Sequence, residues 1–175
     1  MNREQLLSKL ARAWRDFIES HAGLSEELLL EPGVTGRWSV RDIVAHVTTW
    51  EEEALKHLPT IRKGGTPLRY SIEYGGIDAF NAQTTEKKRD LSLADVFRER
   101  DNVHQRLLAF LQQVPDQEFR SETRFCRRLR LDTYGHYPKH SQAIRKWRER
   151  RIGALPISNS FGSAAVREKA QGRLW

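Results

Sequence analysis

Apolar residues recur at intervals of three and four along most of this chain, which is the spacing of one face of an α-helix. Four long segments show this pattern, and they cover approximately residues 3–21, 39–59, 92–115 and 132–151. Ser39 with Asp42, and Ser92 with Asp95, stand three residues apart at two of the starts, as N-terminal caps do. Few segments alternate with the period of a β-strand. The pattern therefore predicts an all-α protein built as an antiparallel helical bundle.

The segments between these helices differ in character. Residues 64–76 carry Gly, Pro and Tyr and predict a long ordered loop over one end of the domain, and residues 77–89 predict a short helix. Residues 116–131 give no consistent pattern. Residues 153–175 lose the periodicity and are rich in Ser, Gly and Ala, so we expect a poorly ordered tail. The bundle domain is accordingly assigned to residues 1–152.

Composition narrows the class of protein. The chain has 175 residues, of which 38% are hydrophobic and 30% charged, as in soluble globular domains. No apolar run approaches the roughly 20 residues that span a bilayer, and the charged N-terminus has no signal-peptide core, so we expect a cytoplasmic protein without a membrane partner. The net charge is +7, concentrated in residues 126–130 and 144–151. Solvated helix faces explain this charge more simply than a nucleic-acid surface, so nucleic acid is predicted to be an unlikely partner.

The chain contains a single cysteine, Cys126. One cysteine excludes an intrachain disulfide and a multi-cysteine zinc or iron–sulfur site, so a metal would have to be bound by His, Asp or Glu. Neighbouring arginines could make Cys126 a reactive thiolate, whereas burial would make it inert. Burial is the interpretation that we favour.

Two histidines lie four residues apart in the stretch "TYGHYPKH". His136 and His140 therefore project from one face of the fourth helix, on the stripe that Ile144 and Trp147 continue towards the core. Pro138 is tolerated in the first turn of a helix but not in its middle, so the regular helix should begin near Gly135. The histidine pair is then expected close to one end of the bundle, within reach of solvent.

A third histidine, His46, stands between Ile43 and Trp50 on the inward face of the second helix. Three neutral imidazoles with one open position suit Zn²⁺, Ni²⁺ or Fe²⁺, although buried histidines often serve only as hydrogen-bonded core residues. His104 is the rival third ligand, with pairing to Asp101 at the surface as its simpler interpretation. The remaining two histidines, His21 and His57, are expected to be exposed, and a protonated His21 would suit the C-terminal end of its helix.

Three segments together resemble the DinB/YfiT-like superfamily, and most closely its DinB and ClbS/DfsB-type members. They are "GRWSVRDIVAHVTTWEEEAL", "DAFNAQ" and "YGHYPKHSQAIRKWRER", at residues 36–55, 78–83 and 134–150. The strongest motif is W-S-x-x-D-x-x-x-H at the start of the second helix, followed about ninety residues later by H-x-x-x-H. Their order and separation are more specific than either motif alone.

The resemblance implies an up-down-down-up four-helix bundle, often a homodimer, in which His46, His136 and His140 bind a divalent metal. Relatives of known activity include metal-dependent thiol transferases and isomerases that use the low-molecular-weight thiols bacillithiol or mycothiol. ClbS-type relatives detoxify a genotoxic electrophile by opening its cyclopropane. Because those relatives commonly carry another residue at the second position of H-x-x-x-H, the intact pair here favours the metal-binding members.

These observations leave three functional hypotheses. The first is a metal-dependent enzyme in which the ion activates water or a thiol to attack a small electrophilic substrate. In that enzyme Glu53 would orient the metal ligands or act as general base. The alternative is that the glutamates of "EEE", residues 51–53, form only a solvent-exposed helix face. Asn81 would lie at the site mouth, unless its amide caps a helix. The second hypothesis is a non-catalytic binding or damage-protection module, and the third is a metal site retained without turnover.

Overall fold

A computed structural model describes residues 2–120 and 123–154 of the chain. The described residues fold into helices, with one isolated β-bridge between Thr35 and Trp38. Among them, no helix is both long and apolar enough to cross a membrane. The helices, in chain order, are α1 (Arg3–His21), α2 (Glu26–Leu30), α3 (Val40–Arg62), α4 (Tyr70–Glu73), α5 (Ile77–Lys87), α6 (Leu93–Gln112), a 3₁₀ turn (Asp116–Phe119), α7 (Arg124–Asp132) and α8 (Tyr137–Ala154). The predicted tail lies outside the described residues from position 155 onwards.

The predicted helix starts at Ser39 and Ser92 are confirmed. The Ser39 hydroxyl accepts a hydrogen bond from the Asp42 backbone N–H at 3.2 Å, and the Asp42 carboxylate accepts one from the Ser39 N–H at 3.0 Å. Ser92 accepts a bond from the Asp95 N–H at 3.1 Å in the same way. Each cap satisfies a backbone N–H that the first helical turn leaves without a partner.

Two predicted boundaries of the second helix and its loop are wrong. The helix continues through Pro59 to Arg62, because proline keeps a helical φ and costs only one backbone hydrogen bond, while buried Leu58 anchors this turn in the core. The segment predicted as a loop at 64–76 contains the short helix α4. It is followed by α5, which confirms the predicted short helix.

The predicted fourth helix corresponds to α8, which begins at Tyr137, two residues after the start expected near Gly135; a turn at residues 133–136 separates it from α7. At this turn the Gly135 N–H donates to the Arg130 carbonyl at 2.9 Å, and a Cβ at position 135 would stand only 2.7 Å from that oxygen. Only glycine permits this approach. The region 116–131, which shows no consistent sequence pattern, contains the 3₁₀ turn and most of α7; the structure does not describe residues 121–122 between them.

Helix α3 is the central element of the fold. It packs against α6, α7, α5, α2 and α8, and α1 packs against α8. Consequently most side chains of α3 are buried, polar ones included, and a polar residue on this helix must find a partner on a neighbouring element. This placement brings the middle of α3 against the start of α8, where two of the three candidate ligands lie.

Arg41 connects α3 to the segment between α5 and α6, and its loss should destabilise the fold. Its buried guanidinium donates from Nη2 to the carbonyls of Lys88, Arg89 and Leu91 at 2.6, 2.7 and 2.5 Å. In Arg41→Ala these carbonyls lose their donor, so we expect the free energy of unfolding to fall by about 3 kcal/mol in urea titration. Exposed Arg98 is the matched control, and Arg98→Ala should change the free energy of unfolding by less than about 0.5 kcal/mol. Equal effects of the two substitutions would refute this role.

Candidate metal centre

Three histidines meet where the middle of α3 faces the first turn of α8. His46 comes from α3, His136 from the residue before α8, and His140 from the first turn of α8. His46 is buried and the other two are partly buried, which leaves the group accessible from one side. The structure therefore brings together the three residues that the sequence predicted as metal ligands.

Each of the three rings points its Nε2 atom towards the other two rings. His136 Nε2 lies 3.2 Å from His46 Nε2 and 2.9 Å from His140 Nε2. One nitrogen from each ring falls within 4.8 Å of the other two. The i, i+4 spacing of His136 and His140 accounts for their convergence, and the packing of α3 on α8 adds His46.

The rings are uncharged at neutral pH. Burial, with neighbouring positive charges as the next cause, lowers the pKa of His46 to about 3, that of His136 to about 2 and that of His140 to about 4. Burial disfavours the charged form of a histidine, and three clustered imidazolium ions would repel one another. Neutral imidazole is the form that binds a metal ion.

Hydrogen bonding among the rings leaves this cluster unsatisfied. The Nε2 of a neutral imidazole either donates one proton or accepts one through a single lone pair. His136 Nε2 therefore forms a good hydrogen bond to only one of its two close neighbours. A cation between the three nitrogens would use all three lone pairs at once, so this donor set fits a divalent metal better than it fits a hydrogen-bond network.

Aromatic packing, rather than hydrogen bonding, orients the rings. The outward nitrogens of His46 and His136, Nδ1 in both cases, are buried without a hydrogen-bond partner in the described part of the chain. Instead the His46 ring lies 4.8 Å from Trp38, and the His136 ring lies 5.7 Å from Trp50. Metal-binding histidines usually donate this second N–H to a carboxylate or carbonyl. Here the tryptophans hold the ring positions.

A cavity of about 400 Å³ opens beside the histidines. His46, His136 and Asn81 line it; Asn81 lies inside α5 and does not cap that helix. Its Oδ1 and the Nε1 of Trp50 are buried without a partner among the described residues. A ligand in this cavity could therefore accept a hydrogen bond from Trp50 and donate one to Asn81.

The far wall of the cavity is ionisable, and sequence reasoning missed it. Tyr70, Arg128 and Asp132 line it. The Tyr70 hydroxyl accepts a hydrogen bond from Arg128 Nη2 at 2.8 Å, and Asp132 Oδ2 accepts one from Arg128 Nε at 2.5 Å. Burial raises the pKa of Asp132 to about 7, although the Arg128 charge opposes the change. Asp132 can therefore exchange a proton near neutral pH, beside the histidines.

Glu53 is buried, so the solvated face expected for "EEE" is wrong at this position. Its Oε2 accepts a hydrogen bond from the Tyr70 hydroxyl at 2.6 Å and lies 2.9 Å from His57 Nε2. Burial raises the pKa of Glu53, but these bonds and the Lys56 charge outweigh it and lower the pKa below its usual value. Glu53 thus holds Tyr70 in place at the cavity wall.

The other three histidines are buried, which contradicts the exposed positions expected for His21 and His57. His57 pairs with Glu53. His104 is not part of the trio; its Nδ1 lies 2.8 Å from Glu51 Oε1 and its ring stacks on Trp14 at 3.7 Å. Packing of α6 on α3 brings Glu51 to His104 and replaces the surface pairing expected with the neighbouring aspartate.

Cys126 is buried, as the favoured interpretation predicted. Its thiol donates to the Glu118 carbonyl at 3.2 Å. A buried thiol that is already hydrogen-bonded is structural rather than reactive.

His21 should make the metal-free protein sensitive to acid. Burial, with the Arg100 charge as the next cause, lowers its pKa from 6.5 to about 4. The folded state then binds fewer protons than the unfolded state between these values, so stability is complete above about pH 6.5 and falls as the pH drops towards 4. His21→Gln keeps an acceptor for Arg100 but does not titrate. We expect this variant to reduce the acid-induced loss of unfolding free energy by up to about 1.4 kcal/mol per pH unit. Parallel stability curves for variant and wild type between pH 7 and 4.5 would contradict this.

The sequence and the all-helical fold of this chain both resemble those of known proteins. The model of the DinB superfamily matches residues 9–144, and the chain belongs to that superfamily. Curated protein sequences give no match. Solved structures share the fold. The colibactin self-resistance protein ClbS in complex with double-stranded DNA is 17% identical, with a TM-score of 0.71, over 85% of this chain and 96% of its own.

Two further structures have the same fold. An uncharacterised protein from Escherichia coli UTI89 is 16% identical, with a TM-score of 0.73, over 86% of this chain and 95% of its own. DfsB, described as a sibling lethal factor precursor, is 13% identical, with a TM-score of 0.71, over 86% of this chain and 97% of its own.

The DNA complex of ClbS overturns one expectation. Attributing the basic residues to solvated helix faces predicts that nucleic acid is an unlikely partner. That prediction is wrong as an argument from the sequence, since a protein of the same fold has been crystallised with double-stranded DNA. Binding to the phosphate backbone requires only exposed positive charge.

Proposed function

We propose that this protein is a divalent-metal-dependent enzyme that acts on a small electrophilic molecule by thiol transfer, isomerisation or hydrolysis. The observation that carries the proposal is the convergence of three neutral imidazole nitrogens that cannot satisfy one another. His46, His136 and His140 would hold Zn²⁺, Ni²⁺ or Fe²⁺. Such an ion supplies Lewis-acid activation of a water or thiol nucleophile at neutral pH.

The chain's own residues would bind substrate and handle protons around this centre. Trp50 Nε1 and Asn81 Oδ1, which lack partners, would hydrogen-bond the substrate. Asp132, with a pKa near 7, would accept or return a proton at its carboxyl oxygen. Glu53, whose Oε2 is engaged by Tyr70 and His57, would be a positioning residue rather than the general base.

We also propose the up-down-down-up order for the four long helices. Contacts between α1 and α8 advance in the same direction on both helices, since Arg145 donates to the Asp16 carbonyl and Arg148 to the Ala22 carbonyl. Helices α3 and α6 also run in the same direction. Arg41, near the start of α3, contacts Leu91 just before α6, and Glu51, further along α3, contacts His104 further along α6. These two parallel pairs support that order. The homodimer implied by the family resemblance stays a prediction.

The test is turnover of a panel of chromogenic electrophiles, each offered with and without a low-molecular-weight thiol. Wild-type protein loaded with Zn²⁺, Ni²⁺ or Fe²⁺ would be compared with metal-stripped protein and with His140→Ala treated in the same way. We expect turnover only in metal-loaded wild type and a loss of at least a hundredfold in the variant. Equal rates in all three samples would overturn the proposal.

A second candidate function is damage protection at DNA, by analogy with the colibactin self-resistance protein ClbS, whose structure contains double-stranded DNA. The observation that favours it is a set of exposed basic side chains beside the candidate metal centre. Two of these side chains are Arg130 and Lys139, and both are exposed. The Arg130 carbonyl accepts a hydrogen bond from the Gly135 N–H, one residue before His136, and Lys139 directly precedes His140. Their positive charge would attract phosphates to the mouth of the site.

Fluorescence anisotropy with duplex DNA tests this second candidate. In Arg130→Glu/Lys139→Glu we expect weaker DNA binding. We also expect the slope of log K against log[salt] to correspond to about two fewer released counterions than in wild type. Lys9→Glu/Arg12→Glu on the exposed face of α1 is the control, matched in charge change, and should retain the wild-type salt dependence. The same loss of DNA affinity in both double variants would show that only the net charge matters, and it would overturn the proposal of a specific DNA-binding surface.

A further inference from the structure

A second depression adjoins the cavity beside the three histidines. The second depression has a volume of about 490 Å³ and is lined in part by Ile61, Pro67 and Leu68. Tyr70, Ile77 and Arg128 border both spaces, so the two spaces are neighbours. We call the two spaces together the extended groove.

Exposed apolar side chains are concentrated along the extended groove. In the described part of the chain, five large hydrophobic residues are exposed. Ile77 and Leu131 border the first cavity at 54% and 67% exposure, and Leu68 borders the second depression at 63%. Ile72 lies on α4, two residues after Tyr70, and Leu30 lies on α2. Contiguous exposed apolar surface in a soluble domain usually marks a binding site.

One fixed polar group stands at the junction of the two spaces. Arg128 is held there by Asp132 and by the Tyr70 hydroxyl, and its guanidinium lies 5.6 Å from the centre of the Tyr70 ring. Tyr70 is held in turn by Glu53. A rigid donor between apolar walls selects a ligand that carries an acceptor group at that point.

We infer that the protein takes an elongated amphipathic substrate, with its reacting end at the histidines, an acceptor group at Arg128 and an apolar arm along Ile77 and Leu68. Only the assignment of the reacting end rests on the proposed function. A compact metabolite would leave the second depression and its apolar wall uncovered. The volumes of the two spaces are within the range of pockets that enclose drug-sized ligands.

The test uses metal-free protein and measures displacement of 1-anilinonaphthalene-8-sulfonate by straight-chain carboxylates of four to ten carbons. In wild type we expect the affinity to rise about fourfold for each added methylene, since each buried CH₂ contributes about 0.8 kcal/mol. Leu131 borders only the first cavity and Leu68 only the second depression. The carboxylate of these probes takes the acceptor position at Arg128, so their chains should run along the second depression. Leu68→Gln should therefore weaken the longer chains, whereas Leu131→Gln should change the affinities little.

Leu30→Gln is the matched control, because Leu30 is also exposed but lies outside the groove. It should leave all affinities unchanged. An affinity that does not rise with chain length, or equal effects of Leu68→Gln and Leu30→Gln, would overturn the inference. Because no metal is present, failure here leaves the metal-dependent activity standing, and absence of that activity leaves the extended groove standing.

Discussion

Replacing His136 with alanine is expected to reduce bound divalent metal from about one ion per chain to background. His136 Nε2 is the central atom of the trio, in contact with both other Nε2 atoms. The two remaining imidazoles come from different helices and make a weak, two-ligand site. The measurement is elemental analysis of wild type and variant after incubation with Zn²⁺ and removal of free ions.

A matched control separates this effect from general damage to the fold. His57→Gln removes another buried histidine, on the same helix as His46, but His57 pairs with Glu53 and not with the trio. We expect this variant to retain wild-type metal content. Unchanged metal in His136→Ala, with its helical content preserved, would show that the ion binds elsewhere.

Replacing Glu51 with alanine is expected to lower the free energy of unfolding by about 3–5 kcal/mol. Glu51 is fully buried on α3, and its Oε1 accepts a hydrogen bond from the Tyr137 hydroxyl and lies 2.8 Å from His104 Nδ1. The substitution leaves both buried partners without this oxygen and opens a cavity in the core. Urea denaturation monitored by circular dichroism measures the change.

Glu51→Gln keeps an acceptor oxygen of similar shape, so it should cost less than half of the alanine effect. Tyr137 follows His136 directly, and loosening it should also weaken metal binding in Glu51→Ala. Equal losses of stability in the two variants would show that the carboxylate charge, which both variants lack, sets the cost, and not the retained shape or acceptor oxygen.

Much of this fold is local enough to be predicted from the sequence. The 3.6-residue spacing of apolar positions gave the long helices, and serine–aspartate pairs at capping distance gave the starts of α3 and α6. The centre was predictable for a related reason, since His136 and His140 share a helical face by spacing alone. The inward position of His46 follows from its neighbours Ile43 and Trp50.

The rest depends on contacts that no local pattern contains. Tyr70 and Arg128 meet across 58 positions, so the ionisable wall of the cavity appears only once α4 and α7 are packed against α3. Glu51 and Glu53 look like solvent-facing residues in sequence. Glu51 is buried because His104 on α6 and Tyr137 on α8 provide partners, and Glu53 is buried because Tyr70 on α4 provides one.

X-ray absorption spectroscopy of the Zn²⁺-loaded protein tests the central claim most directly, because it counts the ligands of the ion. The account predicts three imidazole nitrogens about 2.0–2.1 Å from zinc and one further oxygen or nitrogen at the open position. A sulfur neighbour, which only Cys126 or the single methionine could provide within this chain, or fewer than three imidazoles, would contradict it.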